Sequence, residues 1–407
     1  MTNQLLITKQ EDRILTAWTE EGRICQFQAE PAESEGILGN IYVGKVKNIV
    51  KNINAAFVEF QKGQMGYLSL QPFVCPICTD SVIHEKGRVL IGDEIIVQVE
   101  KEAVKTKPPT LSGILEFAGK YVVLLAGSHQ ISVSHKIRDK QVRNHLRELL
   151  EDYANTKEFG LLARTNSATV SEEVLFKELS ELEERYRKLV EYGRHKTKFS
   201  CLYQAPPSWL LSIRDLYQDK IDSVVTDSME IFDAADAYLR ENGWENSVSL
   251  SLWNTENGKM DAVFDISKNL KKALQPKVWL KHGGYLVIQP TEALVSIDVN
   301  TGKAVSKKKD VQKTFLKVNL EAAKEIAFQL RLRNLSGMIL VDFIDMVSEE
   351  DNKTLLDTFR MALSKDPVPA QVVDMTKLGL VEVTRKKVRK PLYEQCEKLL
   401  FTAGFRK

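Results

Sequence analysis

The sequence predicts a multidomain α/β protein of the α+β class. Its 407 residues are enough for roughly two to four domains of ordinary size. Short strands with turn signals dominate the first part of the chain, whereas helices and strands alternate in the later part. Hydrophobic residues make up 43% of the chain and charged residues 28%, which is typical of a globular protein with sizeable cores.

Patterns of strands, helices and turns divide the chain into five segments. Residues 1–35 contain three short strands, which cannot close a core without a partner segment. Residues 36–119 contain five short strands separated by turn signals, a pattern typical of a small OB-type barrel. Residues 120–205 combine strands with polar helices, and residues 206–275 are expected to complete one small domain with the first segment. Residues 276–407 contain the acidic strands described below.

The composition favours a cytoplasmic protein without a membrane segment. The chain has no run of about 18 apolar residues, and its first residues lack the features of a signal peptide. Its five cysteines are sparse and odd in number, which suits a reducing compartment better than a disulfide framework. Because the formal net charge is only +2, any anion-binding surface must come from local clusters of basic residues.

Aromatic and basic residues occur together in the predicted barrel. Phe57 and Tyr67 lie on strands that also carry or adjoin Lys45, Lys47 and Lys107. Aromatic rings beside cations are typical of a surface that binds single-stranded nucleic acid. The alternative is that both rings belong to the barrel core, where aromatic residues are often found.

A Cys-Pro-Ile-Cys motif raises the question of a zinc site. Cys75 and Cys78 have the spacing of two zinc ligands, and His84 follows six residues later. Because the chain has no second Cys-x-x-Cys motif, the pair provides half a site that would have to be shared between subunits. Two unrelated loop thiols are the favoured interpretation.

Two aspartates near the ends of apolar strands predict a metal site. The strand at 294–300 places Asp298 and Asn300 on one face, and the strand at 338–344 carries Asp342. A carboxylate in a buried strand is costly unless it is paired or binds a metal. Two carboxylates and an amide, with no soft ligand, favour Mg²⁺.

Clusters of basic residues lie near these strands in the sequence. Lys307, Lys308 and Lys309 follow the first acidic strand, and a second cluster spans residues 385–390. Such runs are usually solvated surfaces, but the position of the first cluster also fits phosphate binding. The segment at about 314–334 carries an apolar stripe of helical period and is expected to be a core helix.

Four sequence blocks occur in order in the later part of the chain: Ser-Ile-Asp-Val-Asn-Thr-Gly at 296–302, Asn-Leu-Glu-Ala-Ala-Lys-Glu-Ile-Ala at 319–327, Gln-Leu-Arg-Leu-Arg at 329–333 and Val-Asp-Phe-Ile-Asp-Met at 341–346. Through these blocks the chain resembles the ribonuclease E/G family, and is closest to the short ribonuclease G type. The resemblance implies a Mg²⁺-dependent endoribonuclease that acts on single-stranded RNA in rRNA or tRNA processing or in mRNA decay. Hydrolysis by a metal-activated water would leave 5′-phosphate and 3′-hydroxyl ends.

The resemblance also assigns roles to individual residues. The catalytic set is Asp298, Asn300 and Asp342, in which the two aspartates are the Mg²⁺ ligands. RNA would be gripped by Phe57, Tyr67 and Lys107. A pocket for a 5′-monophosphate would be formed by Gly119, Val123, Arg164 and Thr165.

The implied architecture contains three domain types. An RNase H-like domain, residues 1–35 and 206–275, is split by an inserted OB-fold RNA-binding barrel, residues 36–119, and a 5′-sensor subdomain, residues 120–205. A DNase I-like catalytic domain, residues 276–407, follows.

Two departures from the family pattern modify these expectations. After residue 390 the chain has only Cys396, so the zinc link that joins subunits in the family is not expected, and a homodimer is left open. Pro369 stands where the family supplies another basic residue to the 5′ pocket, so we expect a weak preference for 5′-monophosphate ends.

Two other functions compete with the endoribonuclease hypothesis. A non-catalytic RNA-binding factor would use the barrel and the basic clusters, with the carboxylates in a structural role. A DNA nuclease would use the same acidic residues on a different substrate. The intact set of Asp298, Asn300 and Asp342 favours the endoribonuclease.

Overall fold

The computed structural model shows two compact units. One comprises Met1–Ser34 and Ser208–Lys407, and the other comprises Glu35–Pro207. The structure describes residues 3–10, 12–32, 36–70, 77, 89–103, 107–216, 222–245, 248–302 and 311–396. The predicted Cys75 and Cys78 pair and the lysines at 307–309 lie outside these residues. In the described part of the chain, no helix combines the length and apolar character needed to span a bilayer.

Three antiparallel strands begin the first unit. They are β1 (Gln4–Gln10), β2 (Arg13–Glu20) and β3 (Arg23–Pro31). The turn between β2 and β3 consists of Glu21 and Gly22, with φ angles of 52° and 79°. Two successive positive φ angles give the turn a twist that matches paired antiparallel strands, so β2 and β3 form a tight hairpin.

The second unit begins with a closed five-stranded barrel. Its strands are β4 (Ile41–Val50), β5 (Ala55–Gln61), β6 (Gln64–Ser69), β7 (Glu94–Lys101) and β8 (Thr110–Ser112). They pair in the order β4-β5-β6-β8-β7, and β7 pairs again with β4 to close the barrel. Gly66 lies against Leu111 so closely that a Cβ atom would be 2.5 Å from the leucine side chain, which explains why a glycine occupies this position.

A four-stranded sheet covered by helices completes the second unit. The remaining elements of the second unit are β9 (Leu115–Ala118), β10 (Val122–Ala126), β11 (Ile131–Val133), α1 (Lys140–Ala154), β12 (Phe159–Ala163), α2 (Glu172–Arg194) and β13 (Cys201–Tyr203). The sheet order is β11-β12-β10-β9, whereas β13 pairs with β4 of the barrel. Asp139 caps α1 by accepting hydrogen bonds from the backbone N–H groups of Gln141 and Val142.

Helices and two parallel strands complete the sheet that β1 began. They are α3 (Ser208–Leu216), β14 (Ser223–Thr226), α4 (Met229–Glu241), β15 (Ser249–Leu252), α5 (Met260–Val263) and α6 (Ile266–Ala273). The sheet order is β15-β14-β1-β2-β3, with β1 parallel to β14. Residues separated by more than 200 positions therefore share one sheet.

A six-stranded sheet forms the rest of the first unit. Its elements are β16 (Lys277–Trp279), β17 (Tyr285–Pro290), β18 (Val295–Asn300), α7 (Val311–Leu332), β19 (Gly337–Asp342), α8 (Glu349–Leu363), β20 (Ala370–Met375), β21 (Leu380–Arg385) and α9 (Leu392–Gln395). The strand order is β16-β17-β18-β19-β21-β20. β18 and β19 are parallel because α7 crosses over between them. Side chains of α7 and α8 form one core with one face of this sheet.

The structure confirms the mixed α/β class and contains a closed five-stranded barrel within the segment predicted to form one. The assignment of the segments to RNase H-like, 5′-sensor and DNase I-like domains stays a prediction.

Candidate active site

The strand β18 has one buried and one open face. Val295, Ile297 and Val299 are buried in the core with α7 and α8, whereas Ser296 and Asp298 are exposed. Asp342 is exposed in the same way at the end of β19. The interpretation of both aspartates as buried is therefore wrong. Among the residues that the structure describes, α7 and α8 pack on one face of the sheet, and the apolar residues of these strands are buried against them.

The parallel pairing of β18 and β19 places the two aspartates side by side. Asp298 and Asp342 are register partners, so their side chains project from the same face of neighbouring strands. Adjacent strands in a sheet are about 4.8 Å apart. The Nδ2 atom of Asn300 donates a hydrogen bond of 2.5 Å to Oδ2 of Asp298. The structure thus brings together the three residues that the sequence predicts as catalytic.

Negative charge accumulates at this position. The pKa of Asp342 is raised, first by partial burial and then by the nearby charges of Asp298 and Asp345. Asp345 lies just beyond β19. It was not assigned a role from the sequence, although it is the second aspartate of the motif Asp-Phe-Ile-Asp. A cation bound here would relieve the repulsion among these carboxylates.

The donor atoms fit a hard divalent cation that keeps part of its water shell. Within the described ranges, no three His, Cys, Asp or Glu side chains converge to enclose an ion by themselves. Mg²⁺ commonly binds one or two carboxylates and retains several waters, so the pair Asp298 and Asp342 is a sufficient protein contribution. An all-oxygen set also disfavours zinc and other soft metals.

A buried amide holds the segment between the acidic residues. Asn319 on α7 is 0% exposed, and its Nδ2 atom donates to the carbonyl oxygen of Ile344 at 2.8 Å. Its Oδ1 atom accepts from the backbone N–H of Ile344 at 3.1 Å. Ile344 lies between Asp342 and Asp345, so this pair of hydrogen bonds fixes the chain that carries both carboxylates. The sequence showed Asn319 only as part of a motif, and its partner could not be inferred from spacing.

The predicted RNA-gripping residues lie on the surface of the barrel. Phe57 and Tyr67 are register partners on β5 and β6, with ring centroids 6.1 Å apart and an interplanar angle of 76°. Both rings are partly exposed, so they are not part of the barrel core. Lys107 is exposed and lies two residues before Pro109, whose carbonyl oxygen accepts from the N–H of Tyr67. Lys47 is paired with Glu59 at 2.7 Å.

The predicted phosphate-pocket residues cluster around the start of β10. Arg164 donates from Nη1 to the carbonyl oxygen of Gly119 at 2.7 Å. The hydroxyl of Thr165 shares a hydrogen bond of 3.1 Å with Ser134. Val123 is buried on β10, opposite Leu162 of β12. The structure therefore groups Gly119 with Arg164, which directly follows β12, and Thr165 is the next residue along the chain.

A carboxylate already occupies the backbone amides beside this cluster. Glu178 of α2 accepts hydrogen bonds from the N–H groups of Lys120, Tyr121 and Val122, at 2.6, 2.7 and 2.9 Å. Burial raises the pKa of Glu178, whereas the three hydrogen bonds and Arg164 oppose that rise. A Cβ atom at position 119 would be 2.5 Å from the Glu178 carboxyl carbon, so a larger residue there would displace this carboxylate. No signal in the sequence indicated this contact.

Comparisons with known proteins agree with the geometry. The model of the Ribonuclease E/G family matches residues 116–388. Ribonuclease G of Escherichia coli (strain K12) is 30% identical over 402 residues, covering 96% of this chain and 81% of that protein. Ribonuclease G of Haemophilus influenzae is 32% identical over 395 residues, covering 95% and 79% of the two chains. The Ribonuclease E/G-like protein of Porphyra purpurea is 34% identical over 364 residues, covering 88% and 70%.

Adjacent carboxylates on an open sheet face, in a chain that also carries a barrel with surface aromatic residues, fit the nuclease class of enzyme that these relatives indicate. The chain belongs to the ribonuclease E/G family, and its activity is that of an endoribonuclease.

Proposed function

We propose that this endoribonuclease depends on Mg²⁺ and hydrolyses single-stranded RNA to 5′-phosphate and 3′-hydroxyl ends, in rRNA or tRNA processing or in mRNA decay. The observation that carries the proposal is the parallel register of Asp298 and Asp342, with Asn300 bonded to the first of them. A bound cation would offset the negative charge of this group next to the scissile phosphate, which supports dependence on a divalent ion.

Each residue of the set has a distinct task in this proposal. Asp298 and Asp342 would hold the ion, and the amide of Asn300 would keep the Asp298 carboxylate in one orientation. Asp345 adds negative charge next to Asp342. When bound, Mg²⁺ supplies positive charge that offsets the negative charge developing on the scissile phosphate.

Residues of the second unit would bind the RNA. Phe57 and Tyr67 offer partly exposed rings for base stacking, and Lys107 offers a cation for the backbone. Arg164 and Thr165 would contact a 5′-monophosphate. We expect this preference to be weak, because Glu178 occupies the neighbouring amides and places negative charge near Arg164. A cytoplasmic location and a homodimer stay predictions from the sequence.

Cleavage of a short labelled RNA tests the proposed function. We expect cutting of the single strand with Mg²⁺ but not with EDTA, faster cutting of RNA than of the matched DNA, and less than about a tenfold advantage for a 5′-monophosphate over a 5′-hydroxyl end. Ligation and phosphatase treatment identify the product ends. Binding without cutting in Mg²⁺ would support the non-catalytic factor, and equal cutting of DNA would support a general nuclease.

Replacement of Asn319 by Leu is expected to lower kcat by about 100-fold with little change in KM. Loss of its two hydrogen bonds frees the segment that carries Asp342 and Asp345, and small misplacements of catalytic groups can have effects of this size. Cleavage is measured at a temperature where the variant is folded by circular dichroism. Gln329→Leu is the control, because Gln329 is also a buried amide on α7 but bonds to Glu325 and Arg333. Equal kcat values for the two variants would contradict a positioning role for Asn319.

A further inference from the structure

A cluster of aromatic and basic residues, Lys277, Trp279 and Tyr285, shares the open sheet face with the acidic residues. Register pairing places Lys277, Val287, Asp298 and Asp342 in one row across four strands. The next row contains Trp279, Tyr285 and Asn300. Opposite residues in paired strands project from the same face, so both rows lie on the face that carries the carboxylates.

The cluster combines an exposed indole with a lysine above two rings. Trp279 is 67% exposed, and its ring centroid lies 5.3 Å from that of Tyr285. The Nζ atom of Lys277 lies 3.7 Å from the Tyr285 ring centroid and 4.2 Å from that of Trp279. A cation over two aromatic rings favours this arrangement through cation–π attraction. The exposed surface of the indole remains available for another ring to stack on it.

The spacing from this cluster to the carboxylates suits a bound nucleotide chain. Tyr285 is directly opposite Asn300, whose amide bonds to Asp298. With strands about 4.8 Å apart, Trp279 lies roughly 10 Å from β18. Val287 lies between Lys277 and Asp298 in their row. Its side chain is short, so it leaves space above the sheet between these two residues.

We propose that Trp279 and Tyr285 stack a base of the single-stranded RNA close to the scissile phosphate, and that Lys277 attracts the adjoining phosphate. The inference rests on the proposed function. Stacking on an aromatic ring accepts any base, and a neighbouring cation matches the charge of the backbone. A protein partner is the less favoured occupant, because three side chains offer far less than the roughly 1,000 Å² that a stable interface buries.

A double-mutant cycle tests the contact directly. One change is a substitution in the protein, and the other removes one base from the RNA. Binding of a short single strand is measured by fluorescence anisotropy in EDTA, where cutting is not expected. Trp279→Ala should weaken binding by about tenfold, and Trp279→Phe should retain most of the affinity. An abasic nucleotide, moved one position at a time around the cleavage site, should weaken binding to the wild-type protein at one position. At that position the same change should have little effect on Trp279→Ala.

The control is a lysine–aromatic pair of the same kind elsewhere in the chain. Tyr192 on α2 is 49% exposed and has the Nζ atom of Lys196 at 4.4 Å from its ring centroid. Tyr192→Ala should leave both the affinity and the abasic profile unchanged.

Three results would overturn the inference. They are unchanged affinity in Trp279→Ala, equal abasic penalties in wild type and variant at every position, and a change in sedimentation without a change in RNA binding, which would indicate a subunit contact. Cleavage by the wild-type protein is measured alongside, so failure of the stacking contact is distinguishable from failure of the proposed function.

Discussion

Replacing Asp342 by Asn is expected to reduce the cleavage rate by at least about 100-fold while leaving RNA affinity within about twofold. The change keeps the size of the side chain but removes one of two adjacent carboxylates that would hold the ion. Asp298→Asn should give the same result, because the two positions are register partners. Single-turnover cleavage gives the rate, and anisotropy in EDTA gives the affinity.

Thermal unfolding separates this catalytic effect from misfolding. Its neighbours Asp298 and Asp345 repel Asp342, so Asp342→Asn should melt in EDTA at the same or a higher temperature than the wild type at pH 7. The pKa of Asp342 is raised in the folded state, so its carboxyl contributes most to stability below its unfolded pKa of about 3.9. This contribution is lost as the pH rises through the pKa of the folded state. The advantage of the variant should therefore disappear near pH 4.

The effect of Mg²⁺ on Tm provides a second test of the site, which does not depend on turnover. Because a ligand that binds only the folded state raises Tm, Mg²⁺ should raise Tm of the wild type and have little effect on Asp342→Asn. Asp357→Asn is the control, since Asp357 is an exposed aspartate on α8 that pairs only with the exposed Arg360 among the contacts described for it. Normal turnover in both Asp298→Asn and Asp342→Asn would refute the assignment of the site.

The alternation of side chains made the grouping of Asp298 with Asn300 predictable from sequence, whereas the environment of the two residues was not predictable. A strand repeats every two residues, so Asp298 and Asn300 had to share a face. Tertiary packing determines which face of the sheet α7 and α8 cover. The aspartates lie on the other face and are therefore exposed. The contacts of Asn319 with Ile344 and of Glu178 with the amides at 120–122 join residues 25 and more than 50 positions apart. Spacing along the chain carries no signal for such pairs.

The basic cluster at 385–390 shows the same limit. The sequence groups Arg385 with its lysine neighbours, but the structure buries Arg385 and pairs it with Asp366, with side-chain exposures of 2% and 3%. Arg389 of the same cluster donates to Gln28 of β3. Both arginines in this apparent surface cluster therefore have structural partners, which the order of charges along the chain does not reveal.

Replacing Arg385 by Met is expected to lower the free energy of unfolding by about 3–5 kcal/mol, because a buried carboxylate then loses its partner. Arg385 donates to Asp366 from Nε at 2.8 Å and from Nη2 at 3.3 Å, and its Nη1 atom donates to the side-chain oxygen of Asn334 and the carbonyl oxygen of Leu335. The bonds to Asn334 and Leu335 join the end of β21 to the segment between α7 and β19, and those to Asp366 join it to the segment between α8 and β20. Their loss should shift the midpoint of urea unfolding without changing its slope.

A comparison with an exposed ion pair isolates the effect of burial on stability. Arg360 pairs with Asp357 at 3.0 Å, but the side chains are 50% and 58% exposed, so Arg360→Met should change stability by no more than about 1 kcal/mol. Adding Asp366→Leu to Arg385→Met should recover part of the loss, because it removes the unpaired buried charge. If the two single arginine variants were equally stable, the ion pair of Arg385 would contribute no more than a surface pair. In that case β21 would be held against β19 by the pairing of the two strands, and the hydrogen bonds to Asn334 and Leu335 would add little to the position of Asp342 at the end of β19.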